Sequence, residues 1–291
     1  MLEYVIGPDE NSDLLQLLDE PQLGPVLAYV QQPLADSANA CVRADHPNGV
    51  GLNYYDHMRD GGFFALRPLL IEAGLVKADW SPDGVAGAAG IIAAILRVRA
   101  AGGNVDTICL DEPLVAARTL GLSIEQCASI VIERLTAITA ATGHARFVLV
   151  QEYPDERAER ILAFVRLLRA ANVGLVGIHL DVDHRVFRRY SFWRAFTEHR
   201  KDVADCQRLA AEIRSLGLTL GVILTPDGDR TVSDETFVAT AFSWLKQLYE
   251  YFGWPDRILA QSWQGRNQPP VHMLTSLLLQ AAAWISEHPH G

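Results

Sequence analysis

From about residue 84 onward the chain alternates two periods. Apolar residues recur at three- and four-residue steps over 84–101, 123–142, 155–171, 202–216, 233–252 and 271–287, a spacing that predicts six amphipathic helices. Between them lie short apolar runs that end in polar residues: TICLDEP (107–113), RFVLVQEYP (146–154), GLVGIHLDVD (174–183), TLGVILTPD (219–227) and RILAQSW (257–263). These predict strands. Gly103, Gly143, Gly217 and Gly253 stand where helices should stop, and Ser123 with Gln126 spells a capping box at the start of one.

Strands that alternate with helices of this length imply crossover connections and a parallel sheet. Toward the N-terminus EYVIG (3–7), PVLAYV (25–30) and the short KADW (77–80) supply three further strands, for a total of eight. The expected architecture is α/β, a single (β/α)8 TIM barrel over residues 1–291, with a long polar loop at about 31–62. A doubly wound open sheet is the alternative. No GxGxxG or GxxxxGK[ST] loop occurs, which removes the usual phosphate cradles.

Composition narrows the classes. With 49% hydrophobic and 21% charged residues the chain is an ordinary globular sequence. A formal charge of −10 repels phosphate, so neither nucleic acid nor an anionic membrane is expected as a partner. The N-terminus lacks the basic and apolar regions of a signal peptide, and no apolar run reaches membrane-spanning length. The four cysteines, Cys41, Cys109, Cys127 and Cys206, form no CxxC pair and read as buried thiols in a reducing compartment. A cytoplasmic location is the expectation. Oligomeric state is not readable.

In a barrel of this kind the active site lies at the C-terminal ends of the strands. Those ends are rich in polar residues here. Strand four ends in Asp111 and Glu112, and strand five in Gln151, Glu152 and Tyr153. Strand six ends in His179, Asp181, Asp183 and His184, strand seven in Thr225 and Asp227, and strand eight in Gln261, Ser262 and Trp263. Along strand six, alternation puts Val176, Ile178, Leu180 and Val182 on one face and Gly177, His179, Asp181 and Asp183 on the other. The apolar set should face helices and the polar set the barrel interior.

Acids grouped in this way suit glycoside hydrolysis, which needs one protonated and one ionised carboxyl about 5–10 Å apart. Adjacent strands lie about 4.8 Å apart, so Glu112, Glu152 and Asp181 are the catalytic candidates. Asp111, Tyr153, His179, Asp183, Gln261, Trp263 and Arg266 are the candidates for substrate contact, with aromatic rings as platforms for sugar faces. The expected partner is a small-molecule or oligosaccharide substrate.

CLDEP resembles the Asn-Glu-Pro motif that ends strand four in clan-A barrel glycosidases, and AQSW resembles their strand-eight tryptophan. The resemblance implies a TIM barrel in which Glu112 is the acid/base and Trp263 floors the reactive subsite. Two departures accompany it. Asp111 stands in place of the asparagine, and GVILTPDG on strand seven lacks the family's glutamate nucleophile. The second acid is then Glu152, Asp181 or Asp183, unless an acetamido group of the substrate attacks.

Other readings stay open. No cofactor is required by the hydrolase reading, yet Glu152, His179, Asp181, Asp183 and His184 offer oxygen and nitrogen ligands for a divalent ion, as in metal-dependent sugar isomerases or lyases. A non-catalytic barrel that binds a glycan or a protein is the third. The segment after strand six carries Arg185, Arg188, Arg189, Arg194 and Arg200, whose guanidinium forks suit anionic groups. A GxSxG elbow is missing, which speaks against a serine nucleophile.

Overall fold

The structure is a computed structural model, and it describes residues 3–7, 27–30, 69–73, 85–100, 105–182, 203–224, 233–261 and 271–288. The strands are β1 (Glu3–Gly7), β2 (Leu27–Val30), β3 (Leu69–Ala73), β4 (Val105–Asp111), β5 (Phe147–Glu152), β6 (Leu175–Asp181), β7 (Thr219–Leu224) and β8 (Arg257–Gln261). The helices are α1 (Val85–Ala100), α2 (Pro113–Thr119), α3 (Ile124–Thr142), α4 (Ala158–Ala170), α5 (Val203–Ser215), α6 (Asp234–Phe252) and α7 (Val271–Glu287). All strand pairings are parallel, neighbours in sequence pair with one another, and β1 also pairs with β8. The curled half from β4 to β8 is the part whose interior side chains are described most fully.

Alternation divides each of these strands. Ile108 and Leu110, Phe147 and Leu149, Ile178 and Leu180, Leu220 and Val222, and Ile258 and Ala260 belong to the large core between sheet and helices. Cys109, Val148, Val150, Ile223 and Leu259 form a second, smaller cluster on the opposite face. Two separate apolar layers on one sheet are what a curled parallel sheet requires, because both its faces are removed from water. Helix ends follow local chemistry. Ser123 accepts a hydrogen bond from the Gln126 amide while the Gln126 side chain accepts from the Ser123 amide, and Gly143 closes α3 in the left-handed conformation.

Three expectations are corrected. The third strand is LLIEA at 69–73, and KADW lies outside the described residues. A short helix, α2, starts at Pro113 immediately after β4, where periodicity predicts no helix. Val176 packs on the smaller cluster and not on the helix side. The register slips at that point, from Phe147 opposite Leu175 to Val148 opposite Gly177, so one extra residue turns Val176 inward. Downstream the alternation resumes, with Ile178, Leu180 and Val182 all in the helix-facing core.

The C-terminal end of β6 is anchored from behind. The Trp244 indole Nε1 on α6 donates to the Val182 carbonyl at 2.8 Å, deep in the core. Cys109, Cys127 and Cys206 are buried free thiols, as expected, and burial pushes the Cys127 thiol up to about 12. Cys41 and the long loop at 31–62 lie outside the described residues. Among the described residues no helix is long and apolar enough to cross a membrane.

Candidate active site at the strand ends

β4, β5 and β6 each deliver a carboxylate to the same end of the sheet. Glu152 and Asp181 are register partners, and Asp111 is opposite Val150, two residues before Glu152 on the same face. Partners in a parallel pair face the same side. Asp111 shares alternation with Cys109, Glu152 with Val148 and Val150, and Asp181 with His179. Each of these acids therefore belongs to the interior face. All are partly buried, whereas Cys109, Val150, His179, Ile223 and Leu259 beneath them are closed off from water. The carboxylates thus stand above a dry interior and are themselves less fully enclosed than the residues beneath them. That position limits the cost of their charge, since a carboxylate deeper in the barrel would lose its hydration.

Glu112 is held differently. Its backbone is left-handed, with φ 38° and ψ 51°, and it serves as the residue before Pro113 at the first turn of α2. Its amide still donates to the Val150 carbonyl at 3.2 Å, extending the β4–β5 ladder by one bond. Its own carbonyl accepts from the amides of Val115 and Ala116. A residue with a Cβ in this conformation is strained by about 1–2 kcal/mol. Glycine would remove that strain, yet glutamate occupies the place. Strain kept at a strand end beside three other acids is the pattern of a functional position.

A cation sits among these acids. Arg118, in the last turn of α2, lies 3.9 Å from Glu152 and 4.0 Å from Glu156. Glu156 is buried and fixed in turn, since it accepts from Arg160 Nε at 2.7 Å and from the Arg157 amide at 3.1 Å. Neither Arg118 nor Glu156 is among the sequence candidates. No single-segment pattern marks them, because their meaning lies in contacts between elements.

Two expected substrate contacts are placed elsewhere. Tyr153 is buried in the helix-facing core, 5.7 Å edge-on from Phe252 and with its hydroxyl 3.7 Å from the Cys206 sulfur. Its parity with Phe147 and Leu149 explains this, and Gln151, with the same parity, is buried as well. His179 does face the interior, but a full layer down. It is enclosed, its Nε2 is 3.4 Å from Arg257 Nη1, and its ring fills the space that a Cβ on Gly221 would take, at 2.2 Å from that position. Burial, followed by the Arg257 charge, holds the imidazole well below its ordinary value of 6.5. The neutral ring then accepts from Arg257.

Asp183, Trp263 and Arg266 lie outside the described residues, as do His184, Thr225, Asp227, Trp80 and the arginine-rich segment after β6. For Gln261 only the backbone, the last residue of β8, is described. Among the described residues no three His, Cys, Asp or Glu side chains gather closely enough to hold a metal ion.

No protein-family model matches the chain, and no curated protein resembles it in sequence. Solved structures do resemble it. A glycoside hydrolase family 10 xylanase of Thermobacillus composti is 14% identical over 96% of both chains, with a TM-score of 0.56. A thermostable mutant of xylanase Xyn10A from Cellvibrio japonicus is 11% identical over 96% of both chains, with a TM-score of 0.53. An inferred deoxyribose-phosphate aldolase of Toxoplasma gondii ME49 is 10% identical over 97% of this chain and 94% of its own, with a TM-score of 0.50. The chain resembles TIM-barrel glycoside hydrolases. The likeness is one of fold.

Two measurements follow from this geometry. If the left-handed turn is strained, Glu112→Gly is more stable than Glu112→Ala by about 1 kcal/mol in denaturant unfolding, because both lose the side chain and only glycine relieves the backbone. Equal stabilities contradict the strain. Unfolding frees His179 to take up a proton that the folded chain excludes, so its contribution is neutral above its ordinary value of 6.5. Below that value stability falls with pH, by up to about 1.4 kcal/mol per pH unit. His179→Gln should flatten that part of the stability curve between about pH 6.5 and 5. An unchanged slope would show that the imidazole titrates alike in both states.

Proposed function

We propose that this chain is a (β/α)8-barrel enzyme that acts on a carbohydrate by carboxylate general acid/base catalysis, in the manner of a glycoside hydrolase. The observation that carries the reading is the register pairing of Glu152 with Asp181 on the interior face, next to the Asp111–Glu112 end of β4. Three adjacent strands bring acids to one rim, and the xylanases that share the fold lend the substrate class. Glu112 is the proposed general acid/base. Glu152 is its partner, and Asp181 is the alternative partner. Asp111 orients Glu112 or accepts a sugar hydroxyl. Gln261, Trp263, Arg266 and Asp183 are proposed to contact the sugar from the loops beyond the rim.

The chemistry sets requirements on the pair. One carboxyl must be protonated to deliver a proton to the leaving oxygen, while the other must be ionised to stabilise or attack the oxocarbenium-like carbon. Two acids on neighbouring strands make that division easier, because their mutual repulsion favours a single shared proton. The separation of the two groups then decides whether a water fits between acid and sugar. Inverting hydrolysis needs that room and retaining hydrolysis does not.

The test is turnover of β-1,4-xylan and a panel of aryl glycosides by the unaltered chain, by Glu112→Gln and by Glu152→Gln. Each substitution should lower turnover about 10²–10⁴-fold and leave ligand affinity, read by calorimetry, within about twofold. Full turnover in Glu112→Gln removes its proposed role. Ligand binding without turnover in the unaltered chain replaces the enzyme with a glycan-binding barrel.

A further inference from the structure

We propose that Arg118 is a positioning residue that sets the placement of Glu152 relative to Glu112, an inference that rests on the carboxylate reading above. Three elements meet at this side chain. It belongs to α2, the helix that begins at the left-handed Glu112, and it reaches Glu152 at the end of β5 and Glu156 in the turn before α4. Glu156 is the fixed point of the arrangement. Its carboxylate is buried, one oxygen is held by Arg160 and by the Arg157 amide, and the other oxygen faces Arg118 without a hydrogen-bond partner. The buried acid therefore holds the cation, and the cation holds the rim acid.

The consequence for the site is geometric. Glu112 and Glu152 lie on different strands, and the direct backbone tie across their ends is the Glu112 amide on the Val150 carbonyl. Arg118 adds a second tie, from the far end of α2 to the carboxylate of Glu152. With both in place, the helix that Glu112 initiates is coupled to Glu152 by an ion pair at 3.9 Å as well as to β5 by a backbone hydrogen bond. Half of the Arg118 side chain is exposed to water, at 49%, so its stabilising effect on the fold is small, as for other solvated ion pairs. Its effect on geometry is not reduced in the same way. Displacement of a reacting group by about 1 Å costs on the order of a hundredfold in rate.

Arg118→Gln and Arg118→Lys test this. In the glutamine variant kcat should fall about ten- to hundredfold with KM within about twofold, and lysine should recover part of the loss because it keeps the charge and gives up the fork. Backbone hydrogen exchange over residues 112–120 should rise at least about threefold in the glutamine variant. A purely structural arginine would lower the folded fraction and leave turnover per folded molecule unchanged, with no recovery by lysine. Unchanged exchange in both variants overturns the clamp, as does unchanged kcat in a chain that turns over a glycan. Should the unaltered chain turn over no glycan, the proposed function fails, and the exchange measurement alone decides whether Arg118 ties α2 to β5.

Discussion

Removal of both faces of a curled parallel sheet from water is the constraint on which the remaining features depend. Each strand from β4 to β8 contributes one set of side chains to the helix-facing core and the other to the interior. Neither set readily takes an unhydrated carboxylate, since burying one without partners costs many kcal/mol. Acids on such strands are therefore confined to their ends. In this chain Asp106 lies at the starting end of β4, while Asp111, Glu152 and Asp181 lie at the C-terminal ends of β4, β5 and β6, and register brings Glu152 and Asp181 side by side. The fold thus sorts charge by depth before any chemistry is considered.

Beneath the rim the same constraint is met by neutralisation. His179 is enclosed and kept neutral, and it accepts from Arg257 across a gap that the absent side chain of Gly221 leaves open. Behind the rim it is met by pairing, with Glu156 bound to Arg160 and its chain of contacts carried outward through Arg118. At the rim itself the acids retain access to water. Polar groups are thus treated in three ways at three depths, enclosed below, paired behind and partly hydrated at the rim. A local cost falls at Glu112, whose backbone is left-handed.

Much of this was legible in the sequence, and the failures have particular causes. Helices α1 and α3–α7 and strands β4–β8 were marked by period alone, with boundaries within a few residues of those found. The rim acids Asp111, Glu112, Glu152 and Asp181 followed from placing the strand ends. Tyr153 was misplaced because its strand-end position was weighed above its parity, although the alternation that sends Val150 inward sends Tyr153 outward. Val176 could not be placed by alternation, since the register slip beside it belongs to the pairing of two strands and to neither alone. β3 was missed because LLIEA is short and follows a proline, and KADW offered a competing apolar–polar break. Arg118 and Glu156 were invisible for another reason: their meaning lies in contacts between α2, β5 and the turn before α4, which no single-segment pattern encodes.

The central claim is that acids from neighbouring strands converge on one rim, and an energetic coupling measures convergence without reference to any substrate. A double-mutant cycle on unfolding free energy with Glu152→Gln, Asp181→Asn and the pair reads it directly. Neutralising either of two repelling carboxylates relieves the other, so the stability gained by the double variant should fall short of the sum of the single gains by at least about 0.5 kcal/mol. Gains that add to within about 0.3 kcal/mol would mean that the two side chains do not share a mouth.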